Sequence, residues 1–169
     1  MKTADAIATY PSPLTLPDER ESTASSNNVL LIDDEPIIRT LLEKILTGNG
    51  YNTTTANDGE EGWSALCSKS FDLVITDHDM PRLTGVDLIR RLRSASNSLP
   101  VILISGQMPW EETDLLTLLQ PGVAIEKPFS GAEILDHVRN LLTQARAAAS
   151  ACSQRSFMPK GPMMMVATW

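Results

Sequence analysis

The sequence predicts an α/β protein: a doubly wound, five-stranded parallel sheet with helices on both faces. Two observations carry this expectation. Five short runs, apolar or β-branched, have the length of buried strands. Between them lie segments whose apolar residues repeat at helical spacing behind capping residues. Such alternation implies right-handed crossovers and parallel strands covered on both sides.

The first strand is "NVLLID" (28–33). After Pro36, which suits the first turn of a helix, the pairs Ile37/Ile38, Leu41/Leu42 and Ile45/Leu46 stack one apolar stripe, and "GNG" ends it. "YNTTTA" (51–56) is a weaker, β-branched strand. Asp58 with Glu61 predicts a capping box for a helix bearing Trp63, Leu66 and Cys67. "FDLVIT" (71–76) is the third strand, and a helix from about Thr84 carries Val86, Ile89 and Leu92. "LPVILIS" (99–105) makes the fourth strand, and a helix from Trp110 to Leu119 closes at Pro121-Gly122. "VAIE" (123–126) is the fifth. Ser130 and Glu133 then form a second capping box ahead of Ile134, Val138, Leu141 and Leu142.

Composition sets the class. A chain of 169 residues, 42% hydrophobic and 21% charged, suits one domain with extensions. Residues 1–27, with three prolines and a Ser/Thr/Asn run, have no period that buries a face and are expected to be a mobile leader. The net charge of −7 argues against a chain devoted to neutralising nucleic-acid phosphates or an anionic membrane surface. No run approaches the ~18 apolar residues of a membrane span, and the N-terminus lacks a signal-like apolar core. Cys67 and Cys152 are too far apart in sequence to form a ligand motif, and a reducing cytoplasm suits them.

The acids fall where this topology matters. Asp33 and Asp34 close the first strand, while "VITDHDMP" (74–81) sets Asp77 and Asp79 after the third. In open parallel sheets ligands bind beyond the carboxyl ends of the strands, where strand order reverses. For the order 2-1-3-4-5 that point lies between the first and third. Like charges about 4 Å apart repel by roughly 4 kcal/mol at an effective dielectric of 20. A divalent cation would relieve this, and a few carboxylate oxygens with water left over suit Mg²⁺. Ser105 ends the fourth strand and Lys127 the fifth, so the same edge gains a hydroxyl and a positive charge. Together with a metal, these could bind the oxygens of a phosphoryl group.

In this combination residues 28–145 resemble the receiver domains of two-component response regulators. The motifs that carry the likeness are "LLIDDEP", "FDLVITDHDMPRLTG", "VILISG" and "EKPF", in that order. The resemblance implies the flavodoxin-like strand order 2-1-3-4-5, which periodicity alone does not yield. It further implies that Asp77 is the phosphoacceptor, Asp34 a direct Mg²⁺ ligand, Asp33 a neighbouring acid acting through water, and Asp79 a ligand through its backbone carbonyl. By the same likeness Ser105 meets a phosphoryl oxygen, Lys127 pairs with the acceptor, and Pro128 follows a cis peptide. Asp79 and Gln107 would border the path of hydrolytic water. The implied donor is a histidine kinase or a histidine phosphotransfer protein. One departure stands out: many receivers carry an aromatic residue three positions before the lysine, and here it is Ala124.

Two other readings compete. Asp77-His78-Asp79 also resembles the motif of haloacid dehalogenase-type phosphatases, but that motif normally follows the first core strand, and here an acidic pair precedes it by about forty residues. A docking domain that keeps the fold without phosphorylation is the third, against which the full acid, hydroxyl and lysine set argues. His78 and His137 receive no role. Residues 146–169 are expected to be a loose extension, too short for an output domain, so output passes through an unidentified partner protein.

Overall fold

The computed structural model describes residues 26–109 and 114–155. The expected leader, apart from its last two residues, and the Met-rich end lie outside the described residues. Ten elements alternate in the expected way: β1 (Asn28–Ile32), α1 (Pro36–Gly48), β2 (Asn52–Ala56), α2 (Gly59–Ser68), β3 (Leu73–Asp77), α3 (Gly85–Ser94), β4 (Val101–Ser105), α4 (Leu115–Leu119), β5 (Gly122–Glu126) and α5 (Gly131–Arg155). The strands form one sheet in the order β2-β1-β3-β4-β5, every pair parallel.

Burial follows the period of two. Val29 and Leu31 of β1 enter one core with Leu42, Leu46 and Val138, between the sheet and helices α1 and α5. Leu30 and Ile32 enter the other, with Val86, Ile89 and Leu115, on the side of α2, α3 and α4. Strands β3 and β4 are buried along their whole length because both faces are covered. Burying a Leu or Ile side chain is worth about 1.5–3 kcal/mol, so these three central strands dominate the stability of the sheet.

Several boundaries differ from the sequence expectation. β4 begins at Val101, since Pro100 has no N–H to give the ladder, although its carbonyl still accepts from Val74 N at 3.0 Å. Asp77 is the last residue of β3, in register with Ile104, where the apolar run alone had ended the strand at Thr76. Asp58 caps α2 by accepting from Glu60 N and Glu61 N, but Glu61 reaches back to Asn57 N and Nδ2 at 2.7 Å, so the expected box closes one residue early. The box of α5 is reciprocal: Glu133 N donates to Ser130 Oγ and Ser130 N to Glu133 Oε2.

The fourth helix is described only over Leu115–Leu119, and the Trp110 end of the expected helix lies outside the described residues. Helix α5 runs past position 145 to Arg155, through an alanine run of high helical propensity. No helix among the described residues is long and apolar enough to cross a membrane.

Candidate functional site

The carboxyl ends of β1, β3, β4 and β5 deliver the site. Hydrogen bonding continues past the strands, with His78 N donating to Ile104 O and Lys127 N to Ser105 O, both at 2.8 Å. The parallel register therefore brings residues from four separate stretches to one edge, beside the reversal of strand order between β1 and β3.

Asp77 is buried, with 3% of its side chain exposed, and Lys127 Nζ stands 2.7 Å from its Oδ1. At that distance a buried carboxylate and an ammonium attract strongly. Desolvation works against the Lys127 charge, yet the Asp77 carboxylate, with Asp33 and Glu35 beyond it, lifts the lysine above its ordinary range. The peptide bond from Lys127 to Pro128 is cis, as the resemblance implied.

Asp33 is also buried. Its Oδ1 accepts from Glu35 N at 2.8 Å, while Oδ2 has no hydrogen-bond partner among the described residues. Burial pushes this carboxyl up to about 6; the charges of Asp77 and Asp34 push the same way, and the Glu35 N–H and Lys127 oppose them only in part. Asp34 is exposed at the rim, and the Asp79 side chain is 65% exposed.

Among the described residues no three carboxylate, imidazole or thiolate groups are drawn tightly enough to enclose an ion. The donor set nonetheless fits Mg²⁺, which keeps several waters and takes one or two carboxylates. An orphaned, buried Asp33 oxygen and an Asp77 carboxylate countered by a single lysine leave negative charge that such a cation would offset.

The Ser105 hydroxyl is fully buried. It donates to the Gln107 carbonyl at 2.5 Å, lies 3.4 Å from Asp79 Oδ2, and accepts from Gln107 N at 3.2 Å. The Gln107 side chain, expected to border the water path, belongs to an exposed residue. Ala124 pairs with Leu103 on β4 and packs partly buried against the second core.

Two arginines escaped the sequence reading. Arg39, one turn into α1, donates from Nη1 to the Asp33 carbonyl at 2.6 Å and so pins the loop bearing both leading acids. Arg82 pairs with the buried Asp58 at the start of α2. Arg39 had a weak signal, a cation at helical distance from the acidic pair. Arg82 had none, since Asp58 lies in a distant segment and only the fold joins them. His78 has a buried Nδ1 with no hydrogen-bond partner among the described residues, and His137 is partly buried on α5.

The family model for the response regulator receiver domain matches residues 29–139. The chain is 29% identical over 142 residues to the alkaline phosphatase synthesis transcriptional regulatory protein PhoP of Bacillus subtilis, an alignment that covers 83% of this chain and 58% of that one. It is 33% identical over 132 residues to the regulatory protein VirG of Agrobacterium fabrum, covering 77% and 51%. It thus spans only about half the length of these relatives. Among solved structures, the response regulator TrrA of Thermotoga maritima, in complex with Mg(2+)-BeF, superposes with a TM-score of 0.61 at 31% identity, covering 68% of this chain and 98% of that one. A family match over residues 29–139, about two thirds of the chain, on a five-stranded sheet all parallel in the order 2-1-3-4-5, places the chain in the response regulator receiver domain family.

Proposed function

We propose that this domain takes a phosphoryl group onto Asp77 from a phosphohistidine of a histidine kinase or histidine phosphotransfer protein, with Mg²⁺ as cofactor, and signals through a partner protein. The observation that carries this reading is the buried Asp77 carboxylate held 2.7 Å from Lys127, beside a second buried acid with an unpartnered oxygen. A capping or turn role for Asp77 would leave that burial and that lysine unaccounted for.

In this reading an Asp77 carboxylate oxygen attacks phosphorus in line, the P–N bond to the donor imidazole breaks, and its electron pair stays on the ring nitrogen. Bound Mg²⁺, held by Asp34, Asp77 and the Asp79 carbonyl with Asp33 through water, would offset the phosphoryl charge and orient the attack. Lys127, kept protonated by its carboxylate neighbours, follows the charge from Asp77 to a phosphoryl oxygen. Ser105 must leave the Gln107 carbonyl before its hydroxyl can serve the same group. Water attack on phosphorus later restores the carboxylate and releases phosphate, with the Asp79 and Gln107 side chains bordering the approach. Ala124 has no ring to swing into space vacated by Ser105, which suits a relay intermediate whose partner reads the phosphoryl group itself.

The test is incubation with Mg²⁺ and a small phosphodonor, followed by intact mass. The wild type gains one acid-labile phosphoryl group, and Asp77→Asn and an EDTA-treated sample gain none. Turnover of unrelated phosphoesters would favour the phosphatase reading instead, and no reaction at all would favour a docking domain.

A further inference from the structure

We infer that Arg82 is a positioning residue for the metal loop, anchoring the segment that carries the Asp79 carbonyl to the start of α2. The inference rests on the metal reading above and adds a residue to it.

The Asp58 side chain is 2% exposed. Its Oδ1 is taken by Glu60 N and Glu61 N at 2.9 and 3.0 Å, which leaves Oδ2 for the Arg82 guanidinium. Arg82 itself has φ of 70°, the left-handed region where glycine sits with less strain. A strained arginine at a turn is accounted for when its side chain makes a contact glycine cannot, and the ion pair to a buried carboxylate is that contact.

The next residue strengthens the anchorage. A Cβ on Gly59 would fall 2.4 Å from Leu83 O and 2.8 Å from Leu83 Cβ, so α2 begins in direct contact with the loop. At the loop's two ends, His78 O accepts from both Met80 N and Gly85 N, and a Cβ on Gly85 would fall 2.3 Å from Asp77 O. Asp79 lies between these two fixed regions, its side chain 65% exposed and 3.4 Å from the Ser105 hydroxyl. Its carbonyl is a backbone atom, so what holds the loop sets how well that oxygen is presented. Partners that orient metal ligands from outside the coordination shell typically change metal affinity by 10–100-fold.

The experiment is a Mg²⁺ titration of the full chain, followed by backbone amide shifts of residues 77–80, for the wild type, Arg82→Gly, Asp58→Asn, the double variant and Arg82→Lys. Asp34→Ala serves as the control for metal binding. Arg82→Gly relaxes the left-handed residue, Asp58→Asn keeps an oxygen to cap α2, and the amide spectra show directly that each variant is folded before its Mg²⁺ affinity is read. Each single change is expected to weaken Mg²⁺ binding on the order of tenfold. The double variant should be no weaker than either, and Arg82→Lys should recover part of the loss. Wild-type affinity in Arg82→Gly, or effects that multiply in the double variant, would overturn the positioning role while leaving the metal site standing. A wild type that binds no Mg²⁺ would overturn the metal reading, and this inference with it.

Discussion

Asp33→Asn should stabilise the metal-free protein at neutral pH. The Asp33 carboxyl rises from an ordinary 3.8 to about 6, mainly through burial, which corresponds to roughly 3 kcal/mol against its charged form. Asparagine removes the charge and keeps an oxygen for the Glu35 N–H bond. Its amide nitrogen would occupy the place of Oδ2, now buried without a partner, and an unmet donor costs about 1–3 kcal/mol. The expected net gain is therefore about 0–2 kcal/mol near pH 7.5.

The sign with pH is fixed by linkage. The folded protein holds the Asp33 proton more tightly than the unfolded chain. The wild type carries no penalty below 3.8, loses stability as pH rises from there to about 6, and bears the full penalty above that. The advantage of Asp33→Asn should follow the same curve, falling by roughly 3 kcal/mol toward the acid end, where the unmet amide donor leaves the variant the less stable of the two. Urea denaturation of both proteins in EDTA across this range measures the difference, in which titrations common to the two cancel. Saturating Mg²⁺ should shrink the advantage, since a cation beside Asp33 relieves the wild type alone. A difference that does not vary with pH, or an Asp33→Asn protein less stable than wild type near neutrality, would refute the reasoning.

Other expectations follow from the same geometry. Ile37 is 78% exposed and Leu41 51%, whereas Ile38 packs partly buried against the core shared with α5. Ile38→Lys should thus cost about 2–4 kcal/mol in denaturant titrations, and Ile37→Lys should leave stability unchanged while slowing phosphotransfer from a protein donor but not from a small one. Gly85→Ala would drive a methyl group against the Asp77 carbonyl, a backbone atom that cannot turn aside, and should destabilise by about 1–3 kcal/mol or more. Gly62→Ala meets the movable Ile32 Cδ1 and should cost less in the same denaturant titration; the reverse order would contradict the packing. With Ala124 in place of a ring, beryllofluoride should shift amides mainly in the loops bearing Asp34, Asp77, Ser105 and Lys127. Large shifts across the outer faces of α4 and α5 would show that Ala124 does not uncouple them.

Period and chemistry determined much of this protein from the sequence alone. Five strands follow from short apolar or β-branched runs and their helices from apolar repeats at helical spacing, signals which each segment carries within itself. The motif pattern also named Asp33, Asp77, Ser105 and Lys127, because a parallel sheet sends the residues after each strand to one edge whatever lies between. Segment ends were less legible: Pro100 shortens β4, and Glu61 bonds Asn57 instead of closing the box on Asp58, since local hydrogen bonding chooses among near-equivalent partners. Only the tertiary structure decided which of the paired isoleucines on α1 is buried, because that depends on how the helix is rotated against the sheet and α5. It alone placed Arg82 on Asp58 and the Ser105 hydroxyl on the Gln107 carbonyl. It also left one Asp33 oxygen buried without a partner, which no local pattern encodes: burial and partnership at that edge arise where four separate segments meet.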